Sequence, residues 1–475
     1  MANRESDSSI VLRNRESRLH GEGMNRNMKL VKETYAGHVG LEHHRQTSLQ
    51  GIARKARRNQ THRFGNVYGL LHKGALRQAF HALKKKAAAG VDQVTAKAYA
   101  EDLEANIAHV EVQLKNKTYR AKLVRRVYIE KGNGKKRPLG IPAISEKMVQ
   151  KASSDILESI YEADFLASSY GYRPNTGAQQ AVKDLSQALS FGKFSYIVEA
   201  DISGFFENID HEWMLRMLSL RIADQSFLRL IRKWLKAGIL DTDGKIKHPV
   251  TGCPQGGVIS PILANIYLHY ALDLWFEKTV KSRCEGQAYI CRYADDFVCA
   301  FQYKREAQRF FGELGDRLKK FKLELSVEKT HILSFSRFRQ EENTTFEFLG
   351  FEFRWGKSRK GEDTLKRRTS RSKLRKSCAA FKLWCKENRN NRIRHLIPKL
   401  NTKLRGYYNY YGLLGNYKSL EQFYRMVERI LYKWLNRRSQ RRSFNLLEFS
   451  SFIRRNGVLK PRIIESKHIQ LQFDF

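Results

Sequence analysis

The six cysteines, at 253, 284, 291, 299, 378 and 385, include no C-x-x-C pair. A zinc ribbon or a zinc-bound nuclease module therefore has no ligand set to build on. His43-His44 lacks the further ligands that a metal site needs and reads as surface. No apolar run is long enough to span a bilayer, and no basic n-region leads into a short apolar h-region. The expectation is a soluble protein of a reducing compartment. Acidic residues are scarce too: 48 Asp and Glu face 88 Lys and Arg in 475 residues, a formal net charge of +40. A metabolic enzyme has no need of such an excess, and the length alone predicts about three domains.

The excess is uneven. Residues 351–475 hold 32 Lys and Arg against 9 Asp and Glu. Aromatic residues are interleaved with them, as in Arg405-Gly406-Tyr407-Tyr408-Asn409-Tyr410-Tyr411. Cations neutralise phosphates and aromatic faces stack on bases, so a polyanionic partner is expected. A solvated basic helix surface is the plainer alternative.

Residues 1–50 are polar and without sustained periodicity, which predicts a mobile tail, with a basic extension continuing to residue 63. Phe64 to Lys86 reads as a helix ending at Gly90, and Tyr99 to Ile107 as a second, within a helical region 64–128. Val124, Val127 and Ile129 mark a strand. The turn that follows, Lys131 to Lys136, gathers cations and free backbone N–H groups. Such a turn suits a triphosphate, and equally an ordinary exposed hairpin. Phe194 to Ala200 is a short apolar strand that delivers Asp201 at its end. Pro261 to Phe276 reads as a helix with Pro at its start. Glu306 to Lys320 is amphipathic, and Phe346 to Trp355 alternates as a hairpin. After Gly361 the pattern turns helical: Leu374, Cys378, Phe381 and Trp384, then Leu420, Phe423, Val427, Ile430 and Trp434, keep helical spacing.

The densest chemistry lies at Tyr293-Ala294-Asp295-Asp296, two adjacent carboxylates between apolar strands at 288–292 and 297–301. Neighbouring like charges repel, and burying either without a partner is costly. A divalent cation is one partner, since hard oxygen ligands suit Mg²⁺; an acidic hairpin turn is the alternative. Asp201 supplies a third carboxylate. A strand-end Asp beside a hairpin Asp-Asp is a geometry in which two metal ions about 3.5–4 Å apart can be bridged for phosphoryl transfer.

Taken in order, Arg137-Pro138-Leu139-Gly140-Ile141-Pro142, Asp201 with Phe206, Pro254-Gln255-Gly256-Gly257 and Tyr293-Ala294-Asp295-Asp296 resemble reverse transcriptases. The finer resemblance is to the group II intron-encoded reverse transcriptase/maturase family. Ser169-Tyr170-Gly171-Tyr172-Arg173-Pro174, Leu325-Ser326-Val327-Glu328-Lys329-Thr330, Phe348-Leu349-Gly350-Phe351 and the Leu404–Tyr411 segment carry it, over roughly residues 64–460.

The resemblance implies an α+β right-hand polymerase. Fingers and a palm with an antiparallel sheet would occupy 129–355, and an all-α thumb or maturase domain 356–442. Residues 443–475 would be a reduced DNA-binding segment, with no nuclease following the thumb. Asp201, Asp295 and Asp296 would hold two Mg²⁺ ions, helped by the Ile202 carbonyl. Lys131, Arg137, Phe206 and Gln255 would meet the incoming dNTP, with Phe206 as the aromatic gate against a 2′-hydroxyl. Nucleic-acid contacts are implied at Arg173, Arg367, Arg368, Arg371, Lys373, Arg405, Tyr408, Arg437 and Arg438, with packing an equal alternative for Arg405 and the Tyr407–Tyr411 cluster. The implied activity is RNA-directed DNA synthesis, with intron RNA as template and splicing partner, a DNA target or primer, and a place in the bacterial cytoplasm. A free-standing or defence-associated reverse transcriptase, or an RNA-binding splicing factor, are the competing readings.

Overall fold

The computed structural model describes residues 48–130, 136–338, 344–438 and 441–465, so Lys131 lies outside the described residues. These form a mixed α+β structure with four sheets and a helical C-terminal region. Among the described residues no helix is long and apolar enough to cross a membrane.

Four helices come first: α1 (Leu49–Arg58), α2 (Lys73–Ala82), α3 (Ala96–Glu101) and α4 (Leu103–Lys115). The first of these corrects the expectation of a mobile extension reaching residue 63. The Ser48 side chain caps α1 by accepting from the Gly51 N–H, and Ile52 and Ala56, one turn apart, are buried against α5 (Ile144–Tyr161). Two apolar positions among basic ones make too thin a stripe to read from sequence. Residues 64–86 are not one helix either. A single 3₁₀ turn at Tyr68–Leu70 precedes α2, which stops because Leu83 is extended.

Strands β1 (Val124–Glu130) and β2 (Lys136–Ile141) form an antiparallel hairpin with Ile129 opposite Arg137. Next come α6 (Ala178–Phe191), β3 (Tyr196–Ala200), β4 (Ile202–Ser203), α7 (Phe205–Asn208), α8 (His211–Ser219) and α9 (Gln225–Leu235). A small ribbon, β5 (Ile239–Leu240) with β6 (Ile246–Lys247), extends the β1–β2 sheet. Beyond it, α10 (Ser260–Leu268) starts with Pro261 in its first turn and runs on through two π-helical stretches, His269–Asp273 and Phe276–Val280. The remaining elements of this half are β7 (Ala288–Tyr293), β8 (Asp296–Phe301), α11 (Lys304–Lys320), β9 (Glu324–Leu325) and β10 (His331–Ser334).

The central sheet has the order β10-β3-β8-β7, every pair antiparallel. Its side chains sort by parity. Phe297, Cys299 and Phe301 enter one core, with α2, α5, α8, α9, α10 and α11, while Val298 and Ala300 enter the other with α6 and the C-terminal helices. That alternation is the strand period, with both faces covered. It explains why 288–301 reads as an apolar run interrupted only at the turn. Each buried Phe contributes about 1.5–3 kcal/mol, so β8, buried at five consecutive positions, is a firm mount for a turn that carries two carboxylates.

Strands β11 (Thr345–Phe348), β12 (Phe351–Lys357) and β13 (Asp363–Thr369) make a third sheet. Here a third expectation fails: helix does not begin after Gly361, because β13 pairs with β12 along its whole length. Helix begins at α12 (Arg371–Asn388), capped by Ser370, and continues with α13 (Ile393–Tyr411), α14 (Tyr417–Leu435) and α15 (Leu446–Arg455).

Candidate active site

Asp201 leaves β3 where the sheet register ends. Ala200 pairs with Phe297, so Asp201 and Asp296, each next to this pair, lie at the same end of the sheet, where their charges interact. Tyr293 pairs with Asp296 to close the β7–β8 turn over Ala294 and Asp295. The sheet thus brings together the three carboxylates that the sequence singled out.

Their crowding shows in their protonation. Burial pushes Asp296 up to about 6, and the charges of Asp295 and Asp201 add to it. Burial also raises Asp295, again with a contribution from Asp201. Cations answer from three directions. Lys329 Nζ contacts Asp201 Oδ2, Lys373 and Lys329 both favour the ionised form of Asp296, and Arg137 does the same for Asp295. Lys329 is placed by local structure: the Asp201 carbonyl accepts from Ser326 N–H at 2.8 Å, Ile202 pairs with Leu325, and a 3₁₀ turn at Val327–Lys329 follows. The sequence alone points to no role for Lys329, because its partner lies 128 residues away.

The Pro254-Gln255-Gly256 loop docks on the β1–β2 hairpin. Gly140 N–H donates to the Gln255 carbonyl at 2.6 Å, and Arg137 Nε donates to Gln255 Oε1 at 2.7 Å. Gly256 is needed here: its φ is +106°, and a Cβ would fall 2.7 Å from the Gly140 oxygen. Arg137 and Gln255 are therefore one unit facing the acidic turn. Phe206 is buried, edge-on to Phe205 at 5.3 Å, and its carbonyl accepts from Cys253 N–H. Tyr172 was also missed: it is exposed, in the left-handed region at φ +59°, and its phenol feels the charges of Asp295 and Arg137.

Among the described residues, no group of three or more His, Cys, Asp or Glu side chains stands ready as a cage for one ion. The donors are instead hard oxygens that repel one another and are neutralised by lysine. That suits Mg²⁺, which is held by one or two carboxylates and completes its shell with substrate phosphates.

The implied nucleic-acid contacts divide. Arg371, Lys373, Arg405 and Arg437 are exposed. Arg173 is not a surface group: its guanidinium is held by Glu162 at 2.6 Å and by the carbonyls of Leu166 and Ser169. Arg367 pairs with Glu465, both nearly buried, and Arg368 with Glu352; β13 supplies those positions, and the acids that neutralise them are distant in sequence. Arg438 is half-buried and donates to the Asn391 carbonyl. Tyr408 is fully buried, with its hydroxyl donating to the Leu459 carbonyl at 3.2 Å. Its neighbours pack as well: Tyr407 stacks on Phe423 at 3.7 Å, and Tyr410 donates to the Leu349 carbonyl.

Residues 129–353 match the family model for reverse transcriptase (RNA-dependent DNA polymerase), and residues 374–448 that for the group II intron, maturase-specific domain. The chain is 30% identical to the group II intron-encoded protein LtrA of Lactococcus lactis subsp. cremoris, over 80% of this chain and 76% of that protein. It is 33% identical to protein YkfC of Escherichia coli strain K12, over 58% of this chain and 77% of that one. A putative COX1/OXI3 intron 1 protein of Saccharomyces cerevisiae is 26% identical over 66% of this chain and 45% of its own length.

Proposed function

The chain belongs to the group II intron-encoded reverse transcriptase/maturase family, and from that premise we propose how its residues divide the work. It is an RNA-directed DNA polymerase with a maturase domain that binds intron RNA. The family's chemistry uses a divalent metal and dNTPs. The observation that carries the residue assignment is the convergence of Asp201, Asp295 and Asp296 at one end of the central sheet, facing Arg137 and Gln255.

In this reading the β1–β2 hairpin belongs to the fingers, the central sheet to the palm and α12–α14 to the thumb of a right hand. Asp201, Asp295 and Asp296, with the Ile202 carbonyl, would hold two Mg²⁺ ions. The chemistry supplied there by bound metal would be a lowered pKa for the attacking 3′-hydroxyl and stabilised charge on the leaving pyrophosphate. The protein's own part is positional. Lys329 pairs with the Asp201 carboxylate and holds it in place at the site. Arg137 fixes the Gln255 amide beside the sugar and presents its remaining N–H groups to the triphosphate, and Lys131 is proposed as a second cation for it. Phe206, wedged against Phe205, forms the wall that a 2′-hydroxyl would strike. The exposed Arg371, Lys373, Arg405 and Arg437 meet intron RNA, and a DNA primer or target strand enters the same cleft for copying of the intron into DNA.

The test is Asp201→Asn in primer extension on an RNA template. It removes one charge at constant shape, and we expect extension to fall at least about 10³-fold, as for loss of one preorganised electrostatic group. Extension within threefold of wild type would remove Asp201 from the site.

A further inference from the structure

Arg292 is the largest side chain among those fully buried, at 0% exposure. It sits near the end of β7, three residues before Asp295. Guanidinium has five N–H donors in a fixed fork, and here all five are used. Nε and one Nη2 N–H grip both oxygens of the equally buried Asp273, at 2.7 and 2.6 Å. The other Nη2 N–H reaches Ser169 Oγ at 2.6 Å. Nη1 donates to Asn265 Oδ1 at 3.1 Å and to the Ala294 carbonyl at 2.9 Å.

Ala294 is the hinge of the acidic turn. Its φ is +57°, a left-handed conformation that is unfavourable for a residue with a Cβ. The bond from Arg292 fixes the 294–295 peptide plane and so sets where the Asp295 and Asp296 side chains start. The opposite side is also held: Arg292 N–H donates to the Ser168 carbonyl, its own carbonyl accepts from Tyr170 N–H, and Asn265 Nδ2 donates to the Gly171 carbonyl. Asp273 closes the first π-helical stretch after α10, and such stretches are rare and frequent at functional sites. An ion pair out of water is poor value as a source of stability, because desolvating two charges offsets their attraction.

We propose that Arg292, oriented by Asp273, is a positioning residue that sets the geometry of the Asp295–Asp296 turn for metal binding. This rests on that turn being the metal site, so the experiment tests the two separately. Two variants are compared with wild type: Arg292→Lys, which keeps the charge on Asp273 but loses the fork, and the double variant Arg292→Met/Asp273→Leu, which removes both charges. Three readouts are taken: thermal unfolding, Mn²⁺ binding to the free protein by electron paramagnetic resonance, and kcat and KM for dNTP with Mg²⁺. We expect both variants to unfold within a few degrees of wild type, Mn²⁺ to bind about tenfold more weakly, and kcat to fall about 10²-fold with KM nearly unchanged, the size expected for roughly 1 Å of misplacement.

Wild-type Mn²⁺ affinity and kcat in either folded variant would overturn the proposal. So would failure of Arg292→Lys to fold, because the pair would then be a strut of the domain. Asp295→Asn/Asp296→Asn is run in parallel. Undiminished Mn²⁺ binding there removes the metal-site reading itself, whereas undiminished binding in the Arg292 variants alone removes only the role given to Arg292.

Discussion

The central sheet and the C-terminal helices use charge in opposite ways. In the sheet, three carboxylates sit at the mouth of an apolar structure, and burial raises Asp295 and Asp296. In the C-terminal region the charges are many, mostly exposed and of one sign. A charge in apolar surroundings has to be there for a reason, because its burial is costly. A charge on a wet surface costs little, so its presence says little about its job. The lesson is that the value of a charged residue as evidence rises with the cost of placing it.

The largest effect expected from this contrast is on catalysis. Asp295→Ala/Asp296→Ala should abolish RNA-templated DNA synthesis, a loss of about 10⁴-fold or more given that both electrostatic groups go, while intron RNA binding by filter retention stays within about threefold. Loss of RNA binding by the same factor would mean that the sheet and the helices are not separable as drawn.

A smaller but sharper break comes at Gly171. A Cβ there would lie 2.3 Å from the Ala294 amide nitrogen, which neither backbone can accommodate without moving. Gly171→Val pushes the acidic turn from behind without touching a charge, and kcat in single-turnover extension should drop about 10²-fold. Wild-type kcat would show that the turn tolerates displacement and that its geometry is not tightly set.

How much of this was legible follows the same rule of cost. Asp201, Asp295 and Asp296 could be picked out because carboxylates next to apolar strands are unusual, and the strands themselves showed their period-two pattern. Gln255 and Arg137 stood out only through the resemblance their motifs carry, and their mutual bond was not legible. Lys329, Arg292 and Asp273 were invisible in their roles: each depends on a partner brought in by the fold, and each looks in sequence like one more charge. Arg367 and Arg368 misled for the complementary reason, and Tyr408 falls on the packing side of its two readings. Composition placed them in a basic, aromatic region, but their neighbours in space, the Leu459 carbonyl, Glu465 and Glu352, are fixed by sheet pairing and helix packing that residue counts do not contain. Helix α1 was missed because two apolar residues suffice when a ready-made core is waiting for them.

Stability should report the buried side of the contrast. His269, in the π-helical stretch, packs edge-on against Phe165 and Tyr270, and its Nδ1 has no hydrogen-bond partner among the described residues. Burial depresses it to about 4 from 6.5, with Asp273 working against that and Arg292 with it. The unfolded chain therefore takes up a proton below pH 6.5 that the folded one refuses until about pH 4, and stability is lost as pH falls through that window. Between pH 7 and 5 the loss is on the order of 2 kcal/mol, measurable by urea titration. His269→Phe should flatten the dependence, and an unchanged slope would assign it to other groups.

The smallest effects belong to the exposed cations, and they test whether cheap charges act as a crowd. Arg371→Ala, Arg405→Ala and Arg437→Ala should each lower the slope of log K against log salt for intron RNA by about one, with no change in melting temperature beyond a degree or two. Tyr408→Phe should do the reverse. It loses one buried hydroxyl bond, worth about 1 kcal/mol of stability, and leaves the salt slope alone. If Tyr408→Phe weakened RNA binding at constant fold, burial would have failed as the criterion separating packing from recognition in these helices. If the arginine substitutions left the slope untouched, the basic face would be ordinary solvated surface, and the RNA would have to be held elsewhere on the chain.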